Sequence, residues 1–348
     1  MDNRDAINNR WRSVAKMKVY IKAISYFLPD QVFTNQDLEN EFPEWSSDKV
    51  SAKVGIDSRH IAAANETAGD LAYAAAERLF LEHGIEKSCV DYILLCTQSP
   101  DYFLPSTACV LQNRLGLRTN IGALDFNLGC SGFVYGLSLA KGLIAGGVAR
   151  NVLLITSETY TKYLHPLDKG NRSIFSDGAS ATLISTEGYA EIGEFILGTD
   201  GEGAENLIVK SGAARHPQPC DDLKFDESHN PISSDYLYMN GPDIFSFTIQ
   251  VVPEMIRDVL KKNHIGKEQV SLFIFHQANQ YILEFLRKKI EIDKDRFYCN
   301  LHEVGNTVSS TIPIALRDAQ IAGKLQGVVV IAGFGVGLSW GATILKIV

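Results

Sequence analysis

Cys130, His276 and Asn306 are the three side chains of this 348-residue chain whose types and settings suit them to acyl chemistry together. Cys130 stands in Gly129-Cys-Ser-Gly132, between an apolar run over 121–128 and a stretch with apolar residues at Phe133, Leu137, Ala140 and Ile144. That spacing predicts a helix, so the thiol falls where a strand ends and a helix begins. Unpaired backbone N–H groups and the helix dipole favour an anion at such a point, and thiolate is expected over thiol. The flanking glycines leave room for a substrate to approach the sulfur. His276 follows an apolar run and opens His-Gln-Ala-Asn279, and Asn306 lies in Val304-Gly-Asn-Thr307. A thiolate can be acylated. An imidazole and a carboxamide, both N–H donors, can hold a developing oxyanion.

The elements that must position these residues come in two similar sets. Short β-branched runs alternate with helical stretches, an α/β pattern. Strands are expected at 92–96, 123–127, 152–156 and 181–185, and again at 272–276, 297–301, 328–332 and 343–347. Cys89-Val-Asp-Tyr-Ile-Leu-Leu-Cys96 resembles Gln269-Val-Ser-Leu-Phe-Ile-Phe-His276. Asn151-Val-Leu-Leu-Ile-Thr156 resembles Gly327-Val-Val-Val-Ile-Ala332, and Ala181-Thr-Leu-Ile184 resembles Ala342-Thr-Ile-Leu345. With these in register, Cys130 falls opposite Asn306, each at the start of an equivalent helix. A pseudo-two-fold fold of two α/β halves then points the two helix starts at each other and brings Cys130 and Asn306 together. The expected organisation is a polar, disordered leader over 1–16, a first half over 17–190, a connection over 191–240 and a second half over 241–348. The loop 159–173, rich in turn formers and cations, is expected to wall an anionic ligand.

A formal net charge of −8 provides no basic field for nucleic acid. The six cysteines form no C-x-x-C pair, so neither a metal site nor a disulfide scaffold is expected. A reducing, cytoplasmic setting fits them. No apolar run has the length of a membrane span, and the leader lacks the apolar core of a secretory signal.

The ordered set of Cys130, His-Gln-Ala-Asn279 and Gly-Asn-Thr307 resembles the 3-oxoacyl-[acyl carrier protein] synthase III family of the thiolase superfamily. Gly55-Ile-Asp-Ser-Arg-His-Ile61, Phe175-Ser-Asp-Gly178, Tyr238-Met-Asn-Gly241 and Gly333-Phe-Gly-Val-Gly-Leu-Ser-Trp-Gly341 extend the resemblance from Met17 to the C-terminus. It implies a thiolase-like fold with α-β-α-β-α layers, a homodimer, and a decarboxylating Claisen condensation. By that resemblance Cys130 takes an acyl group from a primer thioester. His276 and Asn306 then help malonyl-[acyl carrier protein] lose CO2 and stabilise the enolate that attacks the acyl-cysteine. The backbone N–H groups of Cys130 and Gly337 match the oxyanion hole, Asn279 matches a pantetheine contact, and Phe334 lines the catalytic floor. Leu104 is expected to reach the partner's acyl pocket, and Arg287, Lys288 and Lys289 to meet the acidic carrier protein. Substrates would be thioesters of coenzyme A or of carrier-protein phosphopantetheine, with no permanently bound cofactor.

The departures from that family lie at the nucleotide end. Lys49 and Lys53 stand where a Trp and an Arg usually grip adenine, Lys169 replaces a further Arg, and Tyr281 replaces an Arg beyond Asn279. Lys offers a point charge without the fork of Arg. An alternative reading is acyl transfer to an alcohol or amine without decarboxylation, in a secondary-metabolite or glycolipid pathway. A cysteine-protease-like hydrolase shares the order Cys, His, Asn. The duplicated strands and the absence of a Cys-Gly-Ser-Cys-Trp pattern count against it.

Overall fold

In a computed structural model the described residues are 17–227 and 229–348, so the expectation for 1–16 lies outside them. Ten strands form one mixed sheet. Its first five run Gly122–Phe126, Tyr92–Cys96, Asn151–Glu158, Gly178–Ser185 and Tyr20–Phe27 from the edge inward. The other five repeat the order from the opposite edge: Phe297–Tyr298, Val270–Phe275, Val328–Gly335, Ser339–Ile347 and Ala190–Thr199. In each set the outer three strands are parallel and the next two pairings antiparallel. The sets join where Tyr20 and Ile21 pair with Glu191 and Ala190. Both the pairing pattern and the chain order are duplicated, as the sequence alignment of the halves implies.

Side-chain alternation builds the layers. Leu94, Val152, Leu154, Leu272, Ile274, Val329 and Ile331 face one central core. Their chain neighbours Ile93, Leu153 and Ile155 face a second core, and Phe273, Phe275 and Val330 a third. Strands buried on both faces read as continuous apolar runs, which is why the sequence displays them so openly. The central core holds the helices Gly132–Ala145 and Thr311–Ile321 between the two half-sheets. The helix Ala68–His83 covers the outer face of the first half, and Gly241–Lys262 that of the second. The result is five layers, helix, sheet, helix, sheet, helix.

Two segments depart from the expected elements. The span 191–240 opens with most of the strand Ala190–Thr199, which pairs along Ser339–Ile347. Glycines at 193 and 198, glutamates at 191 and 194, and partial exposure hide it from an apolar-run criterion. The strand expected over 297–301 stops at Tyr298. The chain turns there, with the Asn300 N–H donating to Gln277 Oε1 at 3.1 Å, and enters the short helix Leu301–Val304.

Candidate active site

Each half contributes a residue from the segment that leads into its central helix. Cys130 precedes Gly132–Ala145, and Asn306 precedes the short turn Val308–Ser310 and the helix Thr311–Ile321. His276 ends the strand Val270–Phe275 and is held by its own N–H, which donates to the Ala332 carbonyl at 2.8 Å. The hairpin after Val328–Gly335 ties the three residues to one place. A side chain at Gly335 would lie 3.1 Å from Cys130 Sγ, and one at Gly333 would lie 2.5 Å from the Cys130 carbonyl. Only glycine lets this strand pass so close to the nucleophile turn. Between those glycines, Phe334 sets its ring edge-on to His276, centroids 5.8 Å apart. The Asn306 amide closes the set by donating to the Ala278 carbonyl at 3.4 Å. Gly337 lies in the hairpin turn itself, beside Gly335.

All three side chains are buried, and burial sets their charge states. Desolvation pushes the Cys130 thiol up to about 12, and the neighbouring Glu158 carboxylate adds to the shift. The sequence expectation of a resting thiolate is therefore corrected. The dipole at a helix start is weaker than the cost of desolvating a sulfur anion in this buried setting. Desolvation also lowers His276 to about 3, so its ring is neutral. Thr311 Oγ1 lies 2.7 Å from His276 Nδ1 and donates to the Val308 carbonyl at 3.1 Å, which fixes the ring at its Nδ1 edge. The site at rest is thus a thiol with a neutral imidazole and a carboxamide. Alkylation of Cys130 by iodoacetamide should rise about tenfold per pH unit between about pH 6 and about pH 9, because only the thiolate reacts. A plateau near pH 7 would show that the thiol is already ionised.

Glu158 is a site residue that sequence reading missed. It ends a strand buried at every residue after Asn151, and burial raises its carboxyl to about 8. Its oxygens accept from the Gln98 N–H at 3.0 Å, the Ser99 hydroxyl at 3.3 Å and the Ser309 hydroxyl at 2.8 Å. It thereby ties the loop after Cys96 to the turn that carries Asn306. The only sequence signal was an acid two residues beyond Thr156 at the end of a mostly apolar strand, where a solvated strand end is the ordinary expectation.

An apolar wall surrounds the sulfur. Tyr160, Leu164, Phe175, Leu207, Leu237 and Val308 form one buried cluster with Cys130. Tyr160 and Leu164 come from the loop 159–173, so that loop presents apolar residues to the site instead of free cations. Its cations are taken up within the chain. Lys162 donates to the Ala64 and Glu66 carbonyls, Lys169 Nζ lies 2.6 Å from Glu44, and Arg172 forks onto Glu41 at 2.6 and 3.0 Å.

A cavity of about 450 Å³ leads from the surface toward this point. Trp45, Lys49 and Lys53 line its mouth with Tyr281, and Asn279 and Ile174 line it further in. Ile174 also packs on the Cys130 cluster, and its carbonyl accepts the Asn306 N–H at 3.0 Å. Asn279 caps the helix Gln280–Lys289, its Oδ1 accepting from the Ile282 N–H at 2.9 Å, so only its NH2 is left for a ligand. On the same helix Arg287 pairs with Glu284 at 2.9 Å, whereas Lys288 and Lys289 form no ion pair among the described residues. Leu104 lies apart from the cavity, in the loop Tyr102-Phe-Leu-Pro105, and is 82% exposed.

Among the described residues no group of three His, Cys, Asp or Glu has the arrangement of a metal site, and no helix is long and apolar enough to cross a membrane.

Comparison with known proteins gives the same picture. Residues 124–201 match the family model described as 3-oxoacyl-[acyl-carrier-protein] synthase III, and residues 260–347 match the model of its C-terminal region. The beta-ketoacyl-[acyl-carrier-protein] synthase III of Clostridium perfringens is 36% identical over 324 residues, covering 92% of this chain and 97% of the relative. A crystal structure of a 3-oxoacyl-(acyl-carrier-protein) synthase III superposes with a TM-score of 0.92 at 48% identity, covering 94% of this chain and 99% of the other. The 3-oxoacyl-(acyl-carrier protein) synthase of Burkholderia xenovorans gives 0.87 at 34% identity, with coverage of 95% and 94%. With its duplicated thiolase-like halves and similarity of this extent over nearly the whole chain, the protein belongs to the 3-oxoacyl-[acyl-carrier-protein] synthase III family.

Proposed function

We propose that Cys130 carries the acyl group in the family's reaction, the decarboxylating condensation of an acyl primer with malonyl-[acyl carrier protein]. The observation that supports this best is the meeting of a buried thiol with a neutral imidazole and a carboxamide, His276 and Asn306, which Ile174 joins to the cavity. In the first half-reaction Sγ attacks the primer's thioester carbonyl, with the Cys130 and Gly337 N–H groups directed at the oxyanion. The carbon–sulfur bond to the carrier breaks, and the departing thiolate takes the proton that Cys130 loses. In the second, the malonyl carboxylate leaves as CO2. Its electron pair passes to an enolate whose oxygen accepts from the His276 imidazole and Asn306 Nδ2–H. The carbanion attacks the acyl-cysteine, the Cys130 thiolate leaves, and protonation restores the thiol. Release of labelled CO2 from malonyl-carrier protein, dependent on an acylated Cys130, is the test; acyl transfer to an alcohol or amine without CO2 would refute it.

The channel suits a pantetheine arm, with the Asn279 amide as a donor to it and Lys288 and Lys289 available to an acidic carrier. Adenine loses the usual aromatic–guanidinium grip at Lys49 and Lys53, and stacking of a base is worth about 1–3 kcal/mol elsewhere. Trimming an acyl-CoA to the acyl-pantetheine should therefore slow Cys130 acylation less than tenfold at fixed ionic strength. A larger loss would assign the stacking to Trp45 or Tyr281, both of which line the mouth. The free, scattered cysteines are consistent with a cytoplasmic setting.

A homodimer is part of this proposal. Gly122–Phe126 is an outer strand of the sheet with Leu124 exposed, and unpaired strand edges invite pairing. Tyr102, Phe103 and Leu104 are 62, 87 and 82% exposed, a patch too apolar to face water. With Leu104 inserted in the partner's acyl pocket, Leu104→Ala should shift preference toward longer or branched primers. Light scattering should give a dimer, and a monomer at micromolar concentration would overturn this arrangement.

A further inference from the structure

Beside the cavity, on the loop whose Gly170 and Ser173 line it together with Glu44, two cations face a carboxylate each. Lys169 meets Glu44 and lies over the Phe42 ring at 5.5 Å; Arg172 meets Glu41 and lies over the Phe33 ring at 4.9 Å. Lys169 is the inner member of its pair, its side chain 12% exposed against 58% for Glu44. An anion arriving from solvent thus meets the Glu44 carboxylate before the ammonium. The hydrogen bond from Lys169 holds the Glu44 carboxyl below its ordinary range, so it is ionised at neutral pH. Lys49 and Lys53, one turn apart on the helix Ser47–Val54, line the mouth of the cavity and form no ion pair among the described residues. Two cations are therefore open to a ligand, and two are already neutralised by residues of the chain itself.

The two possible handles of the acyl group differ in the charge they bring. Coenzyme A carries a diphosphate and a ribose phosphate, whereas carrier-borne pantetheine carries one phosphodiester. We propose that Glu44 is a specificity-determining residue: by occupying Lys169 it withholds a cation from clustered phosphates and sets the channel toward pantetheine borne by a protein. The inference rests on the condensing-enzyme reading above. A phosphate group that needs Lys169 must displace a carboxylate already bonded at 2.6 Å, and it approaches against that negative charge. A single phosphodiester is served by Lys49 and Lys53 without disturbing the pair.

The experiment measures acylation of Cys130 by acyl-CoA and by acyl-pantetheine, with the acyl group that the wild type transfers fastest. Glu44→Gln should raise the ratio of kcat/KM for acyl-CoA over acyl-pantetheine about three- to tenfold at low ionic strength. The gain should vanish at about 0.5 M salt, where exposed charges are screened. In a Lys169→Met background Glu44→Gln should leave the ratio where Lys169→Met alone puts it, because the two residues act as one pair. An unmoved ratio in Glu44→Gln overturns the proposal, and so does an equal gain in the Lys169→Met background. Failure of acyl-CoA, acyl-pantetheine and acyl-carrier protein alike to acylate wild-type Cys130 would instead remove the condensing-enzyme reading itself.

Discussion

Cys130→Ala should lower acyl transfer by at least about four orders of magnitude while leaving the fold intact. The acyl group has no other candidate acceptor in the site. Among the remaining cysteines, Cys96 is buried with its Sγ donating to the Leu128 carbonyl at 3.0 Å, and burial holds it well above the ordinary thiol range. Cys109 and Cys220 are exposed, and Cys89 and Cys299 lie outside the apolar cluster around the nucleophile. Loss of one sulfur against Gly335 leaves a small void, worth about 1 kcal/mol. Mass spectrometry of wild type with an acyl thioester should find the adduct on Cys130, and the variant should show none. An adduct on another cysteine, or a variant that keeps its rate, would remove Cys130 as the nucleophile.

His276→Ala and Asn306→Ala should each slow malonyl decarboxylation about 10²–10³-fold and leave Cys130 acylation much less affected. In the proposed mechanism both residues donate to an oxygen that becomes anionic only when CO2 departs, so their loss should fall on that half-reaction. Because His276 and Asn306 are buried, His276→Gln, which keeps an N–H donor, provides a control for packing. It should recover part of the rate. Since burial holds His276 near 3, the wild-type decarboxylation profile should show no break from this ring between about pH 5 and about pH 8. Equal losses in the two half-reactions, or a break near pH 6.5 that His276→Gln abolishes, would contradict the assigned roles.

Much of this arrangement was legible because the same physics acts twice. Strands buried on both faces are apolar over most of their length, so the runs 152–155 and 328–332 announce themselves and each other. The expectation that Cys130 and Asn306 occupy equivalent places ahead of the two central helices followed from that duplication. What stayed hidden depended on contacts between distant parts of the chain. The thiol state of Cys130 is set by burial and by Glu158, neither of which a local dipole argument contains. The Lys169–Glu44 pair joins residues 125 positions apart, so a cation that looked free on its loop was already bound. The strand Ala190–Thr199 has too many glycines and acids for an apolar run and exists because Ser339–Ile347 pairs with it.

The sheet order also bears on how the molecule is assembled during synthesis. All five strands of the first half lie between residues 20 and 185, and all five of the second between 190 and 347. The first half can therefore complete its sheet before the second half has left the ribosome, as units folding in order of synthesis do. Its nascent form would bear Cys130 at the head of an apolar helix with the opposite wall missing. Asn306, whose N–H and carbonyl bond to Ile174 and Ser176, is among the last parts to arrive, and its docking closes the central layer. Under the proposed mechanism, nucleophile and oxyanion donors meet only at that step, so partly synthesised chains would hold the thiol without the means to use it.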